Sequence, residues 1–97
     1  MLREDLKMSP GKACSQAAHA ALMTYLAADQ KRQEEYHRHG IGTKICLKVK
    51  SLEKLLHLQA KAKELGLPHY LVVDDGRNTE FNGEPTTSAL GLGPLYP

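Results

Sequence analysis

The sequence predicts an α/β fold, a small sheet covered by helices, on three observations. Ser9-Pro10 is a strong helix start ahead of an Ala-rich stretch. Thr43 to Val49 (TKICLKV) alternates apolar and polar residues with the period of a half-buried strand. Leu71-Val72-Val73 is continuously apolar, as expected of a strand buried on both faces and therefore lying beneath helices.

Taken in chain order, Leu2 and Arg3 read as the tail of a strand. The first helix is expected from Pro10 to about Ala27, with Ala13, Ala17, Ala21, Leu22 and Tyr25 as its packed side. Small side chains there allow close approach to a sheet. Lys12, Gln16 and His19 share a second, polar stripe of the same helix. Lys12 lies at the third helical position, beside the free N–H groups and the positive end of the helix dipole, which disfavours another positive charge. A local anionic partner is therefore expected. Asp29 to His39 reads as a polar surface helix supported by Tyr36 and closed by Gly40. After the alternating strand, Ser51 caps a helix with Leu55, Leu58, Ala62 and Leu65 as its core stripe, Gly66 as its stop and Pro68 just beyond. Strands from His69 to Val73 and from Ser88 to Leu92 complete the order.

Ninety-seven residues with 41% hydrophobic content suit one domain. A chain of this size buries about 60–65% of its unfolded surface, so the core is modest. No repeat, low-complexity segment or linker interrupts it. Cys14 and Cys46 fall on different elements without C-x-x-C spacing, which suits a reducing compartment, no metal framework, and two small core hydrophobes. No apolar run approaches the ~18 residues of a membrane span, and no signal-like apolar region precedes Arg3, Glu4 and Asp5, so a cytoplasmic protein with no membrane partner is expected. The net charge of +2 does not announce a nucleic-acid binder. Its distribution is uneven, with Lys44, Lys48, Lys50, Lys54, Lys61 and Lys63 in a segment whose acids are Glu53 and Glu64.

Two separated motifs carry the chemistry. The first is MSPGKACSQAAHA, Met8 to Ala20; the second is HYLVVDDGRNTEFNGEPTTSALGLGP, His69 to Pro94, a strand breaking into acid and glycine, then a hydroxyl-rich loop and a second apolar segment. Together they resemble the type II peptidyl-tRNA hydrolases, in which a helix opening with Gly-Lys and followed by Gln and His-Ala is paired with a strand ending Asp-x-Gly-Arg, a Thr-bearing loop and a Leu-Gly-x-Gly-Pro-like strand. The resemblance runs from about Leu2 to Pro94. It implies a small mixed β-sheet packed between α-helices, with the family's usual first strand largely missing and the chain trimmed at both ends. Such a gap exposes a neighbouring edge, so that either folding is weakened, a partner chain, a homodimer among the options, completes the sheet, or the natural start lies upstream.

The implied reaction is hydrolysis of the ester joining a peptide to the terminal ribose of tRNA, with peptidyl-tRNA as partner and no metal or organic cofactor. By resemblance Lys12, Asp74 and Ser88 are the catalytic positions, Gln16, His19, Thr79 and Thr86 support them, and Arg3, Lys7 and Arg77 meet the RNA. An ammonium stabilises developing negative charge, a carboxylate orients or deprotonates water, and a hydroxyl relays or positions it. Asp74 is preferred to Asp75 because it immediately precedes the x-Gly-Arg step, although adjacent acids leave both open. Asn78 between Arg77 and Thr79, and Ser88 where Thr is commoner, depart from the pattern. A catalytically impaired module of the same fold, binding a tRNA end or a protein, is the alternative. Other constellations are weaker: Ser15 and His19 at i and i+4 lack a local acid, His37 and His39 lack further metal ligands, and Gly91 and Gly93 precede no helix and suit a tight strand end.

Overall fold

A computed structural model describes residues 1–38, 40, 42–75 and 84–94. Strand β1 (Leu2–Arg3) runs through a short 3-10 turn, Glu4–Leu6, into helix α1 (Pro10–Ala27). Helix α2 (Gln30–Arg38), strand β2 (Lys48–Val49), helix α3 (Leu52–Glu64), strand β3 (His69–Asp74) and strand β4 (Thr86–Leu92) follow. The four strands form one mixed sheet in the order β2-β1-β4-β3, with β1 parallel to β2 and antiparallel to β4, and β3 antiparallel to β4. The α/β expectation and the mixed sheet are therefore borne out. The first strand has only two residues, yet it lies in the sheet interior: Met1 and Leu90 exchange main-chain hydrogen bonds, and Leu2 N–H donates to the Leu47 carbonyl.

Both expected caps form. Ser9 Oγ accepts from Lys12 N–H, and Ser51 Oγ accepts from Lys54 N–H, each at 3.2 Å. Gly66 ends α3 with a positive φ of 69°. At the 3-10 turn, Lys7 itself adopts the left-handed conformation, φ 49°, and its N–H closes onto the Glu4 carbonyl. That bend turns the chain from β1 into α1.

The face α1 buries differs from the expected one. Gln16, Ala20 and Thr24 point inward, whereas Leu22 is 57% exposed and Ala21 also faces outward. Ala20 packs with Leu2, Val72 and Ala89 in a core flanked by Met8, Ala13 and Ala17. The helix sits close because Gly91 lies beneath it: a Cβ there would run into Thr24 Oγ1 and the Ala20 carbonyl. Gly91 thus permits helix–sheet contact within β4, rather than a tight strand end.

Four more expectations are corrected. The strand expected over Thr43 to Val49 shrinks to two residues, and Ile45 and Leu47 are 75% and 52% exposed. Strand β1 offers a partner of two residues, so the ladder ends where that partner ends. Cys14 and Cys46 are exposed, one on the outer side of α1 and the other in the unpaired segment before β2. Strand β3 is not buried on both faces: Val72 is buried and Val73 exposed, because β3 is an edge strand with α1 over one side. On α3, Leu55 and Ala62 are buried but Leu65, the residue that caps the helix, is exposed.

Candidate active site

The site lies where the N-terminus of α1 meets the C-terminal end of β3. Capping by Ser9 fixes the first turn of α1, and with it the start of the stripe that carries Lys12, Gln16 and His19. On β3, strand alternation puts Tyr70, Val72 and Asp74 on the face toward α1. Lys12 Nζ donates to Asp74 Oδ2 at 2.6 Å, and Gln16 Nε2 donates to the same oxygen at 2.9 Å. The anionic partner expected for Lys12 is thus Asp74. Its carboxylate receives an ammonium, an amide and the positive end of a helix dipole together.

This pair is largely withdrawn from water, with 14% and 12% of the Lys12 and Asp74 side chains exposed. Gln16 is wholly buried, and its Oε1 has no hydrogen-bond partner among the described residues. Burial of that amide explains why apolar periodicity misplaced the inner face of α1: the residue turned most fully inward is polar, and it is held there by a carboxylate across the sheet.

A β-bulge sets the end of β3 against β4. Val72 pairs with Ala89 and Val73 with Thr87, so Ser88 is the extra residue, and Asp74 then pairs with Thr86. Bulges re-aim side chains and concentrate beside active sites. Ser88 is fully buried, and its Oγ has no hydrogen-bond partner among the described residues, so it makes no direct bond to Lys12 or Asp74. Thr86 Oγ1 donates to the Glu84 carbonyl at 2.9 Å. Thr79 and Arg77 lie outside the described residues.

An open cleft of about 320 Å³ runs beside the cluster, lined by Gln16, His19 and Met23 from α1 and by Tyr70, Val72, Val73, Asp74 and Asp75 from the end and edge of β3. His19 therefore faces the same space as Gln16 and Asp74, while also lying 3.4 Å from Ser15 Oγ on the exposed side of the helix. No carboxylate holds that histidine among the described residues, as a serine-hydrolase triad would require. Asp75 borders the cleft as well, yet it is Asp74 that Lys12 and Gln16 bind.

Arg3 and Lys7 are not in the cleft lining. Arg3 donates to both carboxylate oxygens of Asp5, at 3.1 and 2.6 Å, and to the Thr87 carbonyl at 2.9 Å, while Lys7 is exposed. His37 Nε2 meets the Tyr25 hydroxyl at 2.5 Å, and His39 lies outside the described residues. No group of three or more His, Cys, Asp or Glu is placed to hold a metal among the described residues, and no described helix is long and apolar enough to cross a membrane. Sequence reasoning did not single out Met23, Tyr70, Val72 or Val73 as lining; the signal for Met23 was its place seven residues beyond Gln16, two helical turns along the same stripe.

Comparison with known proteins agrees with this geometry. The family model described as peptidyl-tRNA hydrolase PTH2 matches residues 1–96. A peptidyl-tRNA hydrolase of Methanopyrus kandleri is 45% identical over 97 residues, covering 97% of this chain and 80% of that relative. One from Sulfolobus acidocaldarius is 36% identical over 101 residues, covering 97% and 84%. The human protein named peptidyl-tRNA hydrolase 2, mitochondrial, is 34% identical over 96 residues, covering 97% of this chain and 54% of the human one. With the match spanning nearly every residue and the Lys–Gln–Asp cluster built at its two motifs, the chain belongs to the peptidyl-tRNA hydrolase PTH2 family.

Proposed function

We propose that this protein hydrolyses the ester between a peptide and the terminal ribose of tRNA, acting in the cytoplasm as a single catalytic unit and returning tRNA to translation. The observation that carries the reading is the joint grip of Lys12 and Gln16 on Asp74 at the edge of an open cleft. Asp74 orients a water and takes its proton as the water oxygen bonds to the ester carbonyl carbon. The resulting oxyanion collapses, the bond to the ribose oxygen breaks, and that oxygen takes up a proton to leave as a hydroxyl. Lys12 stabilises the negative charge that develops on the oxyanion and the departing oxygen. Ser88, Thr79 and Thr86 supply hydroxyls, Gln16 and His19 shape the site, and Arg3, Lys7 and Arg77 meet phosphates of the tRNA end.

The test is turnover of purified protein on peptidyl-tRNA beside Lys12→Ala. Loss of one electrostatic donor should lower turnover by roughly 10²-fold or more while the helix, which Ala favours, keeps its circular dichroism. Unchanged turnover removes Lys12 from the reaction. Binding to the tRNA end should also weaken with salt, each phosphate contact adding about 0.7 to the logarithmic slope on a single strand.

A further inference from the structure

Strand β3 is one edge of the sheet, and its outer side meets no other strand among the described residues. The main-chain groups facing that side follow from the ladder. Gly93 N–H donates to the Pro68 carbonyl, so residue 68 faces β4. Alternation then turns residues 70, 72 and 74 toward β4, and 69, 71 and 73 outward. Leu90 fits this pattern, because its N–H and carbonyl are both spent on Met1 in β1 and none are left for Leu71 opposite it. Leu71 and Val73 therefore present an N–H and a carbonyl each to the open edge, on a line leading to Asp74.

The cleft beside this edge has a chemical bias. Among the described residues it carries Asp74 and Asp75 at one end, Met23, Tyr70 and Val72 elsewhere in its lining, and no Lys or Arg. Asp74 is already paired with Lys12, and no Lys or Arg of the described lining is there to receive a phosphodiester, so the peptide half of a substrate suits this cleft better than the RNA half. Arg3 and Lys7 are outside this lining: Arg3 lies on β1, where its guanidinium reaches the Thr87 carbonyl, and Lys7 is exposed at the turn into α1. An ester held at Lys12 and Asp74 thus has Arg3 and Lys7 outside the cleft and, among the described residues, no Lys or Arg along it.

We infer that the open edge of β3 binds the peptide half of the substrate as an added parallel strand, with side chains of that peptide entering the α1–β3 cleft. The inference rests on the peptidyl-tRNA reading above. Direction fixes the pairing: a peptide whose C-terminal carbonyl is at Asp74 runs toward that end, as β3 does. Val73 carbonyl accepts the amide N–H of the esterified residue, and Val73 N–H donates to the carbonyl of the third residue back. Leu71 carbonyl accepts the N–H of that third residue, and Leu71 N–H donates to the fifth. Main-chain bonds of this kind give affinity without reading side chains, which suits an enzyme whose substrates share a backbone and differ in sequence. They also favour a peptide over a single amino acid, which reaches only the Val73 carbonyl.

The wild-type protein tests this with a series of substrates: N-acetyl-aminoacyl-tRNA, then peptidyl-tRNAs of two to five residues, then tripeptidyl- to pentapeptidyl-tRNAs carrying one N-methyl amide. KM should fall about tenfold between one and three residues, the scale of two net main-chain hydrogen bonds, and level off by five. N-methylation of the third residue should raise KM by about tenfold, while N-methylation of the second or fourth, whose N–H groups point away from β3, should leave it unchanged. A KM that ignores length, or N-methyl effects that do not alternate, overturns the added strand while leaving the hydrolase reading intact. No hydrolysis of any substrate overturns both.

Discussion

The two edges of the sheet, β3 and β2, come from stretches that look equally strand-like in sequence, yet they reach different ends. Strand β3 has six residues, takes α1 on one face and ends in the site. Strand β2 has two, and the alternating Ile45 and Leu47 that should have been its buried face stand in water. Local pattern is the same; partner length is not. Strand β4 offers β3 seven residues to pair with, whereas β1 offers β2 two. A strand extends as far as its neighbour, because each further residue must satisfy its main-chain groups.

The largest expected break in this comparison is at the end of β3. Asp74→Asn keeps the shape of the side chain but removes the charge that Lys12 pairs with, so turnover on peptidyl-tRNA should fall by about 10²-fold or more. Asp75→Asn, which leaves the Lys12 and Gln16 hydrogen bonds in place, should change turnover by only a few-fold. The reverse ranking would show the acid to be one residue later.

Much of the site was legible because it rests on local rules. The Ser9 cap sets the phase of α1, so Lys12, Gln16 and His19 had to share a stripe. What the stripe faced was not legible: apolar periodicity favoured Leu22 as an inner residue, and the actual inner residues Gln16 and Thr24 are polar. For Gln16, the carboxylate of Asp74, 58 positions away along the chain, makes that burial favourable. The bulge at Ser88 was equally hidden, since an extra residue in a ladder is defined by the strand opposite. Exposure of Cys46 followed from the shortness of β1, a long-range cause with no mark in the sequence around the cysteine.

Next in size is the contact that brings α1 down onto β3 and β4. Gly91→Ala puts a methyl against Thr24 Oγ1 and the Ala20 main chain, which cannot swing away, and should cost about 1–3 kcal/mol in urea unfolding. Gly11→Ala meets nothing within 4 Å at the start of α1 and should stabilise by about 0.4–1 kcal/mol. Equal effects at the two glycines would mean that close helix–sheet packing does not hold the site together.

The edges themselves are compared by one substitution made on each. Val72→Thr buries a hydroxyl under α1 and should cost about 1–3 kcal/mol, whereas Ile45→Thr, in water beside β2, should stay within about 0.5 kcal/mol. A loss at Ile45 as large as at Val72 would mean that the segment before β2 is covered in solution, and the two edges would no longer differ.

The smallest effect belongs to Asp5, which follows the short strand between those edges. The Arg3 guanidinium donates two hydrogen bonds to this carboxylate and holds it below the ordinary aspartate value of 3.8. A carboxyl whose folded value is depressed adds stability above 3.8 and loses it as pH falls through the folded value. Asp5→Asn should therefore be slightly less stable than the wild type near neutrality, by an amount that salt reduces because the group is exposed, and the two should converge in acid. The same substitution separates two uses of Arg3. If its guanidinium meets tRNA phosphate, releasing it from Asp5 should tighten binding at low salt and steepen the salt slope; if it serves only to tie β1 to the Thr87 carbonyl, affinity will not move. Filter binding of tRNA across a salt series, run on both proteins, reads the difference.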